Sequence, residues 1–241
     1  LMPSLTRRRM VGSLSAPLLA AARPNVIFIF VDDLGYGDLG VTGNRDVPTP
    51  NIDRLAKEGI RFTQFYTASP ICSPSRVGVT TGQFPARHHF HSYLNHRAAN
   101  AGVEMVDWLD PKAPSVAGAF RQAGYRTAHI GKWHMGNQRG QRPGFDYSAS
   151  YTGHGRYQDC PFEIEGTATP TKGWVDDVSA DFAIEFMKQN SERPFSVVVG
   201  FKSPHNPRGG NNLPERLRGL HAGKTSRPTP NCGVPAIFQK K

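Results

Sequence analysis

Residues 25–35 read Asn25-Val26-Ile27-Phe28-Ile29-Phe30-Val31-Asp32-Asp33-Leu34-Gly35, an unbroken apolar run that ends in two carboxylates. Such a run, rich in β-branched and aromatic residues, is typical of a strand buried on both faces of a parallel sheet. A helix is predicted next, with Thr49 as its cap, Pro50 at its first position and Gly59 at its end. A strand that leads into a helix is the repeating unit of α/β proteins.

The alternation continues along the chain. Further strands are predicted at residues 60–66, 125–130 and 195–201, and further helices at 115–124 and 175–190. The inner faces of these helices are expected to be Val116, Ala119, Phe120 and Ala123, behind a cap at Ser115, and Val175, Val178, Phe182 and Phe186. The sequence therefore predicts an α/β fold with a mostly parallel sheet flanked by helices.

Chemically capable residues follow all of the predicted strands. They are Asp32 and Asp33, Cys72 with Arg76, Lys132 with His134, and His205. In open α/β sheets the ligand site lies beyond the carboxyl ends of the strands, so these groups are expected on one rim. Two adjacent carboxylates are costly unless a cation lies between them, and all-oxygen donors favour calcium or magnesium. The alternative is that one of them only caps the turn before Gly35.

The pentapeptide Cys72-Ser73-Pro74-Ser75-Arg76 is predicted to open a helix, with Ser73 as the N-cap and Pro74 at the first position. Cys72 then lies beside free backbone N–H groups, where anions bind, and Arg76 adds a fork of donors suited to a tetrahedral oxyanion. A buried cysteine with no chemical role is the alternative interpretation.

Lys132, His134 and His205 complete the set. A lysine can hold a sulfate oxygen as a point charge, and a histidine can orient a hydroxyl group or move a proton near neutral pH. His205 is a candidate acid for a leaving alcohol or a contact to sulfate. A surface lysine beside a packed Trp133, and a solvated loop histidine, are the alternatives.

Other polar residues receive weaker predictions. The run Arg87-His88-His89-Phe90-His91 is interpreted as the polar rim of the site or as ordinary surface, not as a metal cluster. His154 and Asp159 lie in a Gly- and Tyr-rich loop that can reach a substrate. Cys160 and Cys232 either pair after export or stay as free thiols.

Composition limits the partners. The net charge of +10 favours an anion, such as a sulfated polysaccharide, a small sulfate ester or nucleic acid. Much of the excess lies at the two ends of the chain without interleaved aromatic residues, which disfavours nucleic acid. No stretch is apolar enough to span a membrane.

Residues 1–23 carry adjacent arginines, a weakly apolar run and three alanines, which predict a twin-arginine-like export signal and a periplasmic or extracellular location. A disordered basic tail is the alternative.

With these segments in order, the chain resembles the formylglycine-dependent sulfatases of the alkaline-phosphatase-like superfamily. The matching segments span about residues 24–206: Asp32-Asp33-Leu34-Gly35-Tyr36-Gly37-Asp38, Thr49-Pro50-Asn51-Ile52-Asp53, Cys72-Ser73-Pro74-Ser75-Arg76, Gly131-Lys132-Trp133-His134-Met135-Gly136 and Ser203-Pro204-His205. Their combination is far more specific than any single motif.

The resemblance implies a role for each residue. Cys72 is converted to formylglycine by a generating enzyme, and its hydrate attacks the sulfur of a sulfate ester. Asp32, Asp33 and an oxygen of modified Cys72 bind calcium. Arg76 and His134 hold the two hydroxyls of the hydrate, and Lys132 and His205 grip the sulfate. A plain cysteine cannot be regenerated after such a reaction, which is the chemical reason for the modification.

The resemblance also implies a missing part. Sulfatases of this kind are considerably longer, and their later half adds an Asp-Asn metal pair and another lysine. Residues 207–241 are instead irregular, basic and rich in proline, and are expected to begin a truncated remainder. We therefore expect the 241-residue chain to be inactive alone.

The sequence is also compatible with two functions other than sulfate ester hydrolysis. A phosphodiesterase or phosphonate hydrolase of the same superfamily needs a similar metal, nucleophile and set of cations. A non-catalytic protein that binds sulfated glycans would keep the site without using it.

Overall fold

The computed structural model describes residues 23–94, 106–136, 139–207, 213–220 and 222–223. The export signal predicted for residues 1–23 lies outside this part except for its last residue, and so does Cys232. Six strands form one sheet in the order β1-β6-β2-β3-β4-β5. The strands are β1 Val26–Phe30, β2 Arg126–Lys132, β3 Tyr147–Tyr151, β4 Phe162–Ile164, β5 Thr167–Thr169 and β6 Phe195–Gly200.

The sheet is mixed but mainly parallel. β1 pairs with β6, β6 with β2 and β2 with β3, all in parallel, whereas β4 and β5 extend the sheet in antiparallel fashion. The longer helices are α1 Pro50–Glu58, α2 Cys72–Thr81, α3 Val116–Gln122 and α4 Val175–Gln189. The predicted α/β class with a mostly parallel sheet is confirmed. The prediction that β1 is buried on both faces is wrong, because β1 is the edge strand of the described sheet and its Ile27, Phe28 and Ile29 side chains are exposed.

The core lies on both faces of the sheet. Val197 and Val199 of β6 pack with α4 on one face, and the intervening Val198 packs against the cluster that contains Trp133 and Val77. This split follows from the alternation of side chains along a strand. The expected inner stripe of α4 is confirmed, since Val175 and Phe186 are buried and Val178 and Phe182 are partly buried against them.

The inner face predicted for α3 is wrong. Ala117 is the buried residue of this helix, whereas Val116 and Ala119 are exposed. Because α3 is only seven residues long, the spacing of its apolar residues did not determine which side of the helix faces the core. The predicted cap is confirmed, because Ser115 Oγ accepts a hydrogen bond from the backbone N–H of Gly118.

The strand predicted at residues 60–66 is also wrong. These residues form no strand, and the side chains of Ile60, Phe62, Phe65 and Tyr66 are exposed. A strand is stabilised by pairing its backbone groups with a neighbour, which β-propensity alone does not supply. Conversely, β3 was not predicted, because its serines interrupt the apolar pattern. Ser150 is nonetheless buried, and its hydroxyl oxygen accepts a hydrogen bond from Arg142 Nε at 2.6 Å.

Candidate functional site

The centre of the candidate site is a buried ion pair between two strand ends. Lys132 closes β2, and Asp32 lies two residues beyond the end of β1. Because β1, β6 and β2 run parallel, their carboxyl ends reach the same edge of the sheet. Lys132 Nζ donates a hydrogen bond to Asp32 Oδ2, and both side chains are buried.

Arg76 reaches the same pair from α2. Its Nη1 donates to the backbone carbonyl of Lys132 at 2.8 Å, and its Nη2 lies 3.6 Å from Asp32 Oδ1. The guanidinium also stacks over the ring of Phe30, 4.9 Å from the centroid. Within the described residues neither Nε nor Nη2 of Arg76 makes a hydrogen bond. Buried donors of this kind are available to an anion.

The charges of this cluster shift each other's pKa. Burial alone would raise the pKa of Asp32, but Lys132 and Arg76 together hold it below its usual value. Burial lowers the pKa of Lys132, and the charge of Arg76 adds to that effect, while Asp32 opposes it. The site thus contains two buried cationic groups and one carboxylate, which leaves a local excess of positive charge.

Cys72 is the first residue of α2, and Ile71 is the N-cap. The prediction that Ser73 caps this helix is wrong, because the helix begins earlier and the buried Ser73 Oγ accepts a hydrogen bond from the backbone N–H of Leu94 at 3.1 Å. Pro74 is still tolerated, since it lies within the first turn, where N–H groups have no partner in the helix. Burial raises the pKa of the Cys72 thiol, with Asp32 acting in the same direction against Lys132. The thiol is therefore protonated near neutral pH.

Three histidines line the other side of Lys132. The rings of His134 and His154 have centroids 4.3 Å apart, and those of His154 and His205 are 4.7 Å apart. Lys132 Nζ lies 3.3 Å from His154 Nδ1, so the lysine donates and this nitrogen accepts. The structure thus joins Lys132, His134 and His205, as the strand-end argument predicted, and adds His154.

His134 and His154 are held neutral. Burial, reinforced by Lys132 and His154, lowers the pKa of His134 to about 2. Burial and the charges of Lys132 and His205 lower the pKa of His154 to about 4. Neither ring nitrogen of the buried His134 has a hydrogen-bond partner among the described residues. A neutral, unpaired imidazole can donate to or accept from a bound hydroxyl group.

Asp33, the second of the adjacent carboxylates, faces His205, whereas Asp32 faces Lys132 and Arg76. Asp33 Oδ2 lies 3.9 Å from His205 Nε2, and the Asp33 side chain is partly exposed. Two adjacent carboxylates fit a hard cation such as calcium in kind. In the part of the chain that the structure describes, no group of three or more His, Cys, Asp or Glu side chains is arranged to hold a metal. Asp32 and Asp33 could contribute carboxylate oxygens to a hard cation, but the described residues do not form a full set of metal ligands.

Other sequence candidates lie in varied surroundings. His89 and His91 are exposed with their rings in edge contact, and Phe90 between them is buried. The backbone N–H of Gly173 donates to Asp159 Oδ1 at 2.8 Å, so this carboxylate orders a loop. Cys160 is a buried free thiol.

Lys202 and Asp176 were not selected from the sequence. Lys202 is buried directly after β6, and Asp176, in the first turn of α4, accepts hydrogen bonds from the backbone N–H groups of Lys202 and Ser203 at 2.7 and 2.9 Å. The strand-end rule that selected His205 also applies to Lys202, which was the available signal. No sequence signal pointed to Asp176, because acidic residues are common in the first turn of a helix whatever their role.

The arrangement suits an oxyanion with several acceptor oxygens. Arg76 and Lys132 provide donors with full charge, and His134 and His154 provide neutral donors or acceptors, with their ring centroids 4.3 Å apart. Electrostatic stabilisation in such a buried, preorganised site is stronger than in water.

Comparison with known proteins supports one family. A sulfatase family model matches residues 24–226. The N-acetylgalactosamine-6-sulfatase of the dog, Canis lupus familiaris, is 31% identical over 233 residues, which cover 83% of this chain and 44% of that protein.

Solved structures with the same fold agree. One, in complex with its substrate D-glucosamine-2-N,6-O-disulfate, is 31% identical with a TM-score of 0.66, covering 76% of this chain and 35% of that chain. The PsFucS1 sulfatase from Pseudoalteromonas sp. is 29% identical with a TM-score of 0.67, covering 82% of this chain and 47% of that chain. The chain thus spans less than half the length of each of these three proteins.

Proposed function

Because the chain belongs to the sulfatase family, we propose that it forms the nucleophile-bearing part of a sulfuric ester hydrolase that acts on carbohydrate or aryl sulfates. The observation that carries this proposal is the convergence of Arg76, Lys132 and the histidine cluster near Cys72. The sulfated sugar bound by one structural relative favours a sulfated carbohydrate.

The nucleophile in this proposal is formylglycine at position 72. The hydrated aldehyde supplies an oxygen nucleophile and can be regenerated, which a thiol cannot do. The buried Cys72 thiol is protonated near neutral pH, because its pKa is raised, and it is therefore a weak nucleophile as it stands. This weakness supports a role that depends on modification.

The remaining residues would bind and orient the substrate. Arg76 Nε and Nη2, free of hydrogen bonds among the described residues, would donate to position 72. His134, neutral and without a hydrogen-bond partner among the described residues, would accept a hydrogen bond from a hydroxyl group there. Lys132 and the doubly protonated form of His205 would hold the sulfate oxygens, and Nε2 of that imidazolium would give its proton to the leaving alcohol.

Calcium is the proposed metal. Asp32, Asp33 and position 72 would hold it, and a bound calcium would offset the negative charge of the sulfate oxygens. The partial exposure of Asp33 keeps one carboxylate open to the ion. Lys132 is the cation that pairs with Asp32 in the structure.

The proposal also concerns whether these 241 residues are active on their own. We propose that these 241 residues alone do not turn over sulfate esters, since the apolar edge strand β1 is exposed and the described metal ligands are few. The proposed partners are a formylglycine-generating enzyme and a sulfate ester, and export is assigned to residues 1–23. Among the described residues, none of the helices is both long and apolar enough to cross a bilayer.

Mass spectrometry after co-expression with a formylglycine-generating enzyme tests the proposal. The peptide that contains Cys72 is expected to carry an aldehyde, and the peptide with the buried Cys160 should keep its thiol as an internal control. Cys72 should remain a thiol in a Pro74→Ala variant, which changes the pentapeptide Cys72-Ser73-Pro74-Ser75-Arg76 that we propose the generating enzyme recognises. An intact thiol at Cys72 would overturn the catalytic proposal in favour of glycan binding.

Paired assays separate the rival chemistries. Nitrophenyl sulfate and nitrophenyl phosphate should be compared with the chain and with the product of its gene including any downstream coding sequence. No hydrolysis is expected from the 241-residue chain, and any longer product is expected to hydrolyse the sulfate faster than the phosphate. Preference for the phosphate would indicate a phosphodiesterase, and sulfate release by the short chain would refute the proposed inactivity.

A further inference from the structure

The loop after β6 is held by side chains that lie outside the sulfate-binding set. Tyr157 Oη donates a hydrogen bond to the backbone carbonyl of His205. Lys202 Nζ donates to the carbonyl of Asn206 at 3.4 Å. The ammonium also lies over the ring of Tyr157, 4.8 Å from its centroid. Tyr157 and Lys202 thus contact each other and two consecutive carbonyl groups.

One of these carbonyls also fixes the ring of His205. His205 Nδ1 lies 2.6 Å from the carbonyl oxygen of Asn206. Since a carbonyl oxygen only accepts, Nδ1 carries the proton. The partner of one ring nitrogen sets the state of the other, so Nε2 is left to face the site. Nε2 lies 3.9 Å from Asp33 Oδ2, and the ring packs on His154.

Burial of the Lys202 ammonium needs a reason. The residue is 1% exposed, and burial, aided by the charge of Lys132, lowers its pKa. A buried charge without a role is costly and rarely kept. Its Nζ shares the Asn206 carbonyl with His205 Nδ1, so the lysine restrains the group that orients the imidazole.

We propose that Lys202 and Tyr157 are positioning residues, which hold His205 with Nδ1 protonated and Nε2 directed into the sulfate site. The role of Nε2 toward sulfate rests on the function proposed above, whereas the positioning of the ring does not. Lys202 would act through His205 and would not touch the sulfate itself.

Nitrogen NMR of the histidine side chains in the 241-residue chain tests this directly, without requiring activity. The chain has nine histidines, and the His205 signals are assigned by their loss in His205→Gln. The wild-type chain should show protonated Nδ1 at His205. Lys202→Met should free the His205 ring, so that its signals report exchange between ring orientations, and inorganic sulfate should bind about 10-fold more weakly because Nε2 is no longer held facing the anion. Lys202→Arg keeps a donor and a cation, so it should restore in part both the wild-type His205 nitrogen signals and the binding of inorganic sulfate.

Two further variants guard against a folding defect. Tyr157→Phe keeps the ring and loses only the hydroxyl group, so it should disturb His205 in the same direction without a cavity. Lys172→Met removes an exposed lysine and should change neither signal. Circular dichroism establishes that each variant is folded.

The outcomes distinguish the two proposals. If Lys202→Met and Tyr157→Phe leave the His205 nitrogen signals unchanged, the positioning role is wrong, and weaker sulfate binding alone would then make Lys202 a direct ligand. If the signals change as expected but the wild-type chain does not bind sulfate, the positioning role stands and the proposed contact of His205 with sulfate in this chain fails.

Discussion

Lys132 Nζ and Asp32 Oδ2 form a hydrogen-bonded ion pair between the ends of β2 and β1, and both side chains are buried. Arg76 flanks the same carboxylate, so one buried anion faces two cationic side chains. The pair lies at the centre of the candidate site and also links two strands that are separated in the sheet by β6. Its members therefore contribute to stability as well as to the proposed chemistry.

Replacement of the buried carboxylate should destabilise the chain. Asp32→Asn leaves Lys132 and Arg76 without their counter-charge, and the free energy of unfolding is expected to fall by about 3 kcal/mol. Urea denaturation measures this change. Asp33→Asn is the matched control, since Asp33 is partly exposed and asparagine tolerates its φ of 64°; it should cost less than about 1 kcal/mol. Equal losses in the two variants would contradict the assignment of Asp32 as the buried partner.

Stability should fall as the pH drops below neutrality. The pKa of His134 is about 2 in the folded chain, below the ordinary histidine value of 6.5. The unfolded chain therefore binds a proton that the folded chain excludes between these values, and His134 lowers stability as pH falls from 6.5 toward 2. The slope attributable to one such histidine is at most about 1.4 kcal/mol per pH unit.

Thermal unfolding between pH 7.5 and pH 5 measures this dependence. His134→Gln should flatten it, and His91→Gln, at an exposed position, should leave it as in the wild-type chain. Because the pKa of Asp32 is lowered, its stabilising contribution is present above its unfolded pKa and disappears only at lower pH, as the folded form becomes protonated. An unchanged pH dependence in His134→Gln would show that the imidazole is not excluded from protonation.

Gly131 should not tolerate a side chain. It has a φ of +86°, and a Cβ atom would lie 2.2 Å from the carbonyl oxygen of Gly200 on β6. Gly131→Ala should therefore destabilise the chain by more than the 1–2 kcal/mol or so that left-handed backbone alone costs. Gly43→Ala, with a φ of +106° and nothing within 4 Å of the added Cβ, isolates that backbone cost. Similar melting temperatures for the two variants would rule out the steric conflict.

A lysine substitution in the edge strand β1 should affect stability much less than one in the central strand β6. Ile27 of β1 is 50% exposed, although it pairs with Val197 of β6, which is completely buried. Ile27→Lys should change stability by less than about 1 kcal/mol and should reduce self-association, because a charge on an apolar edge strand discourages further pairing. Val197→Lys should prevent folding. Light scattering and circular dichroism measure the two effects, and a loss of fold in Ile27→Lys would place β1 inside a core.

Much of the candidate site was predictable from local sequence. Asp32, Lys132 and His205 each follow a strand whose apolar run is recognisable without tertiary information, and parallel pairing brings those strand ends together. Cys72 was predicted at a helix start, which is where it lies, although the cap is Ile71 and not Ser73. The error at Ser73 arose because a buried serine hydroxyl can satisfy a distant backbone group such as that of Leu94.

Other parts depended on contacts that no local pattern encodes. Residues 60–66 carry the apolar pattern of a strand but lack a paired neighbour, whereas β3 pairs with β2 despite its serines. His154 was only a loop residue in the sequence, and its contact with Lys132 Nζ is a consequence of how that loop folds over the sheet edge.

The sequence by itself determined the α/β class, the strands that deliver Asp32, Lys132 and His205, and the membership of the sulfatase family, because apolar periodicity and short motifs are local properties of the chain. Only the tertiary structure decided that Lys132 pairs with Asp32, that His134 is neutral, and that Lys202 and Tyr157 hold the loop of His205. Burial and proximity set the energies of charged and polar groups, and both arise only when distant segments pack together.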